Sequence, residues 1–136
     1  MLDPYPGIRL ATAPLKHPNG ATGYRIEYHR KAVAYVADTE NRSDGPDKNV
    51  LRLVDGADVM IYDGTYTDAN YPRHQTWGHS TWQEGVRLAN VAGVGTLVLF
   101  HHDPCHDDAF MDQIATAAAD ARPGTIVAQE GLVLHP

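Results

Sequence analysis

An apolar run, Leu97-Val98-Leu99-Phe100, ends in His101-His102-Asp103-Pro104-Cys105-His106-Asp107-Asp108. Imidazole nitrogen and carboxylate oxygen are the donors that zinc, manganese and iron accept. The pattern reads as a buried strand whose C-terminal end delivers ligands into a cleft. Two further apolar runs stop at an aspartate, Tyr35-Val36-Ala37-Asp38 and Met60-Ile61-Tyr62-Asp63. A single aspartate after a strand ordinarily starts a turn. Three polar strand ends, one of them His-His-Asp, point instead to convergence on one edge of a sheet. His79, in Trp77-Gly78-His79-Ser80-Thr81, stands just before a helix start. The positive end of a helix dipole there disfavours a charged imidazole. A carboxylate partner would make the same ring a general acid, and Asp63 is the candidate partner.

The other polar residues carry less. His17 lies in the turn Lys16-His17-Pro18-Asn19-Gly20, where a lone histidine is usually solvated. Asp107 and Asp108 read as charge at a helix N-terminus, and His106 as a supporting or surface residue. His29, His74 and His135 read as surface. Tyr66, Tyr71, Trp77 and Trp82 are of a kind to line a substrate cleft, though some must serve packing. Cys105 stands alone, as a small half-buried thiol. Glycines occur singly at turns, so no phosphate-cradling loop is present, and Gly78-His79-Ser80 is not a serine nucleophile elbow.

The elements that must position these residues follow from pattern. Met1 to Gly7 is proline-rich and reads as irregular, and Ile8 to Pro14 as a short strand. Gly23 to Tyr28 and Lys31 to Ala37 form a hairpin turning at His29 and Arg30. Asn41 to Asp47 is polar loop. Lys48 to Val54 is a short helix ending at Gly56. Asp58 to Tyr62 is a buried strand, and 64–78 is a long loop of the kind that carries function. Ser80 caps a helix that Gly93 stops. Thr96 to Phe100 is a strand, and an Ala-rich helix capped at Asp107 or Asp108 runs to Ala121. Thr125 to Ala128 and Leu132 to Leu134 close the chain as short strands. The fold class is α/β, a β-hairpin followed by alternating strands and helices.

Composition sets bounds. The 136 residues are 43% hydrophobic and 21% charged, normal for one globular domain spanning 1–136. A net charge of −6 gives no bulk electrostatic case for nucleic acid, although a local basic patch is not ruled out. One cysteine and the absence of an apolar membrane span or signal sequence lead to a cytoplasmic expectation.

The segments around His17 and Gly23-Tyr24-Arg25, Tyr35-Val-Ala-Asp38-Thr39, Ile61-Tyr-Asp63-Gly-Thr-Tyr66, Gly78-His79-Ser80-Thr81 and Phe100-His101-His102-Asp103-Pro104 occur in an order that resembles metallo-β-lactamase-fold hydrolases. The resemblance is to the C-terminal half of the family's αββα sandwich. Within it, the phosphodiesterase branch related to tRNA 3′-processing endonucleases is the most similar. It implies that His17, Asp38 and His101 are metal ligands. It also implies that His79 protonates the leaving oxygen with Asp63 as its partner, and that a metal-activated water attacks a small phosphodiester such as a cyclic nucleotide or cyclic phosphate. The implied metal is zinc, with manganese or iron accepted in the same donor set. His102 and Asp103 would support the ligands. The family's His-x-His-x-Asp-His motif does not occur in this sequence, so the two-metal site is expected only in a complete domain. The expected partner is a second copy or an N-terminal half that covers the inner face of the sheet. The alternative is a non-catalytic remnant that folds by such pairing and binds metal weakly or not at all.

Overall fold

The computed structural model describes residues 1–40 and 45–136. Its frame is a seven-stranded sheet with the strands in sequence order: β1 Leu2–Tyr5, β2 Ile8–Leu15, β3 Ala21–Tyr28, β4 Lys31–Val36, β5 Val59–Asp63, β6 Thr96–Phe100 and β7 Ile126–Val127. Strands β1 to β4 are antiparallel, and β4 to β7 are parallel. Each parallel step needs a crossover. These are supplied by the helices α1 Lys48–Val54, α2 Trp82–Val91 and α3 Asp108–Ala121.

The hairpin forms as its sequence requires. His29 and Arg30 take φ of 46° and 63°, the left-handed pair of a two-residue turn that matches strand twist. Side chains alternate across the sheet. One face, with Ala34, Val36, Met60, Tyr62, Leu97 and Leu99, packs against Val50, Leu53, Leu88, Ala89 and Ile114 of the helices. Close approach fixes Gly85 in α2, where an added Cβ would lie 2.8 Å from the Tyr62 ring. Among the described residues, the opposite face carries no helix. There Tyr24, Ile26, Tyr28 and Tyr35 are 38–51% exposed. The chain end lies over its β6 side, where Leu132 and Leu134 line a shallow groove of about 380 Å³ with Val33, Tyr35, Ile61 and Phe100.

Four expectations need correction or restriction. Residues 2–5 form an edge strand rather than irregular chain; Pro4 is tolerated because an edge strand has N–H groups that no neighbour needs. Leu132 to Leu134 form no strand, since they meet the sheet's open face with their side chains. The cap of α2 is Thr81, whose hydroxyl accepts from the Glu84 N–H at 3.0 Å, and not Ser80, whose hydroxyl is spent on the buried Tyr62 OH at 2.8 Å. Of the loop expected over 41–47, residues 41–44 lie outside the described residues. No described helix is long and apolar enough to cross a membrane.

Candidate metal centre

Parallel strands β4, β5 and β6 end side by side, and their ends present Asp38, Asp63 and His101. Asp38 and His101 both leave their strands in the left-handed region, at φ of 57° and 58°. Such backbone costs a non-glycine residue about 1–2 kcal/mol and clusters where function fixes a side chain. Together with His79, these residues each offer a donor atom within 4.8 Å of the others. Asp38 Oδ1 stands 3.0 Å from His101 Nε2 and 4.0 Å from His79 Nδ1. The His79 and His101 rings stack at 4.6 Å.

Asp63 differs from Asp38 in its hydrogen bonding. It is fully buried. Its Oδ1 accepts from the Thr65 hydroxyl at 2.7 Å, the Thr65 N–H at 3.2 Å and the Ser80 N–H at 3.4 Å. Its Oδ2 accepts from the Thr39 N–H at 3.2 Å and from His79 Nδ1 at 3.0 Å. A carboxylate has about four lone-pair sites, so these donors leave none for a cation. Asp63 and His79, the pair singled out in the sequence, are hydrogen-bonded. That hydrogen bond is also the main reason the His79 pKa is raised. Burial opposes it, and the charges of Asp63, Asp38 and Glu40 add to it. The depression expected from the helix dipole is outweighed, because a carboxylate at hydrogen-bond distance acts more strongly than partial charges at a helix end.

His17 is brought alongside but is not a member of the tight group. Its ring lies edge-on to His79 with centroids 5.8 Å apart. Gly78 makes this possible: with φ of 94°, any Cβ there would sit 2.2 Å from His17 Cδ2. His17 Nδ1 accepts from the Asn19 N–H at 3.3 Å. His102 faces the Ala128 carbonyl at 3.1 Å, and Asp103 accepts from the Cys105 N–H at 2.9 Å. His106 packs on Phe110. Asp107 caps α3. Cys105 is exposed.

Sequence reasoning missed Glu40 and misplaced His74. Glu40 is buried; one carboxylate oxygen accepts from the Tyr71 OH at 2.8 Å and the Thr76 N–H at 2.7 Å. It pins the 64–78 loop over the site. His74, expected on the surface, stacks on buried Tyr66 at 4.3 Å and meets Trp77 edge-on at 5.0 Å. Tyr66 in turn lies 6.2 Å from His79, so a row of rings leads from His101 outward to Trp77, which is 61% exposed. Trp82 packs against the core instead. No sequence signal marks Glu40, because its contacts join segments far apart in the chain, or His74, because its contacts depend on how the 64–78 loop folds on itself.

Two aspartates and a histidine at the ends of parallel strands, joined by a histidine from the segment before α2 over one helix-covered sheet, define a class. Residues 4–102 match the Beta-lactamase superfamily domain, and the chain belongs to that family. Ribonuclease BN of Escherichia coli is 30% identical over 112 residues, which cover 82% of this chain and 35% of that protein. The metallo-beta-lactamase fold protein YhfI from Bacillus subtilis superposes with a TM-score of 0.76 at 21% identity, over 95% of this chain and 50% of that one. Zn(2+)-bound PqqB from Methylobacterium extorquens gives 0.68 at 23% identity, over 99% and 49%. The fold is therefore the α/β metallo-β-lactamase fold. The chain spans about a third of the ribonuclease's length and half of the two solved chains.

Proposed function

We propose that this chain carries the Asp38–His101 metal ligands and the His79–Asp63 proton donor of a metal-dependent phosphodiester hydrolase. The His79–Asp63 pair carries the reading. An alkoxide leaving group needs an acid, and His79 is a histidine whose proton affinity is raised beside the candidate cation ligands. The donor set fits a cation: Asp38 Oδ1 and His101 Nε2 face each other at 3.0 Å, and Asp38 is half exposed with donor capacity to spare. His17 joins through its ring once the loop carrying Gly78 adjusts. Zinc suits the mixture of imidazole and carboxylate, and the zinc in PqqB supports that choice over manganese or iron.

When bound, a divalent cation supplies charge neutralisation at phosphate oxygens and acidifies water. The chain's own residues do the rest. Asp63 holds the Nδ1 proton of His79 and so fixes the ring's direction. The opposite nitrogen then presents a proton to the departing oxygen. Glu40, through Tyr71 and Thr76, holds the loop that carries Trp77 beside the site. A small phosphodiester is the first substrate class. A second reading, RNA, is favoured by the ribonuclease name of the Escherichia coli relative. A cytoplasmic setting accords with the unpaired Cys105.

The open face with Tyr24, Ile26, Tyr28 and Tyr35 fits a second β layer. The occupant we favour is a separate polypeptide segment that brings further histidine ligands. The solved chains of this fold are about twice as long, and three ligands from this chain do not complete a two-metal set.

Hydrolysis of bis-p-nitrophenyl phosphate, of a cyclic nucleotide and of a single-stranded RNA in the presence of zinc tests the reading. Turnover of any one that falls at least 100-fold in His79→Ala supports it. A purified chain that holds less than one zinc and turns over none of the three, with and without a segment carrying His-x-His-x-Asp-His, favours the non-catalytic remnant. Sedimentation separates a second copy from that segment as the occupant of the open face.

A further inference from the structure

Thr65 has no role assigned by the reading above, yet its hydroxyl sits at the junction of the site. Gly64 turns the chain out of β5 tightly, its N–H donating to the Phe100 carbonyl at 2.8 Å. That turn puts buried Thr65 under His101. Thr65 Oγ1 lies 2.7 Å from Asp63 Oδ1, 2.7 Å from the His101 carbonyl oxygen and 3.0 Å from His101 Nδ1.

A threonine hydroxyl has one proton and can accept two. Both neighbours at 2.7 Å are oxygens that only accept: a carboxylate that is the partner of His79, and a backbone carbonyl. The hydroxyl proton goes to one of them. No second proton remains for His101 Nδ1, so Nδ1 must be the donor and Oγ1 the acceptor. The neutral ring then carries its proton on Nδ1 and a lone pair on Nε2, the nitrogen that faces Asp38 Oδ1 at 3.0 Å. Two bare acceptors held that close repel, so the contact is satisfied by a metal cation or by a second proton on the ring. His17 is set the opposite way, since its Nδ1 accepts from Asn19.

We propose that Thr65 is a positioning residue that fixes His101 in the Nδ1–H tautomer and so presents an unprotonated Nε2 beside Asp38. The consequence for metal affinity rests on the metal-centre reading; the tautomer does not. Partners that fix a ligand histidine are worth about 10–100-fold in metal affinity.

The test is long-range ¹⁵N–¹H correlation of the histidine rings in the zinc-free 136-residue chain at pH 8, paired with zinc titration by calorimetry. The wild type should show His101 as the Nδ1–H form. Thr65→Val should lose that preference and bind zinc about 10–100-fold more weakly, and Thr65→Ser should restore both. A wild-type spectrum with the proton on Nε2 overturns the proposal, whether or not the valine variant folds. So does a folded Thr65→Val chain that keeps the Nδ1–H form. A tautomer that responds as expected in a chain that binds no zinc upholds the positioning role and removes the metal-centre reading instead.

Discussion

Strands β4 and β5 lie side by side, and each runs into an aspartate whose carboxylate reaches the same small volume. The carboxylate ending β5, Asp63, is buried under three backbone N–H groups, a threonine hydroxyl and an imidazole. The one following β4, Asp38, is half exposed and faces two histidines. Identical chemistry thus serves opposite ends. A saturated carboxylate is part of the architecture and aims its neighbour; an undersupplied one remains open for a cation. The backbone agrees, because Asp38 sits at a positive φ.

Substitution at each end should separate these roles. Asp63→Ala strands buried N–H donors, each worth about 1–3 kcal/mol when left unsatisfied. We expect a loss of about 3–5 kcal/mol in urea unfolding, large enough to unfold a marginal domain. Asp38→Gly should do the reverse. Relief of the left-handed strain should raise stability by about 1 kcal/mol, while zinc affinity by calorimetry falls more than about 100-fold, beyond what loss of a supporting partner alone would cost. If Asp38→Gly destabilises as much as Asp63→Ala, the contrast between the two strand ends is lost.

Gly78→Ala tests the neighbouring loop. With a Cβ directed into the His17 ring and a φ of 94°, it should cost about 1–2 kcal/mol and shift the His17 ring resonances, leaving those of His101 in place. The smallest effect is pH dependence. The folded pKa of His79 is raised, chiefly by its hydrogen bond to Asp63. The stabilisation is therefore fully present below the unfolded value of about 6.5 and disappears as pH climbs through the raised folded value. Urea midpoints of the zinc-free chain across pH 5 to 9 should fall relative to His79→Gln over that window.

The strand ends were legible because each apolar run stops abruptly at a polar residue, and period-two alternation located β3 and β4 as a hairpin. The start of α3 was legible as a cap at Asp107 or Asp108, and the structure gives that role to Asp107, whose carboxylate accepts from the Phe110 N–H at 2.9 Å. Ser80 and Thr81 offered two hydroxyls for one cap, and tertiary structure chose between them by giving Ser80 to Tyr62. Thr65, Glu40 and His74 were invisible for a related reason. Their partners, His101, Thr76 and Tyr66, come together only once the 64–78 loop crosses the tops of the strands. The absence of a strand at Leu132 to Leu134 has the same origin: apolar content alone does not distinguish a residue that pairs at a sheet edge from one that lies on its face.

The order of the strands has a kinetic corollary. Each strand binds the one just before it in the sequence, but β1 to β4 do so across tight turns whereas each parallel step from β4 to β7 waits for a crossover helix. Loop-closure entropy is therefore small for the antiparallel half and larger for the parallel half, whose pairing is the slower kind. During synthesis the first hairpin can close before the ribosome has made His79, and every later strand then docks onto a template already in place.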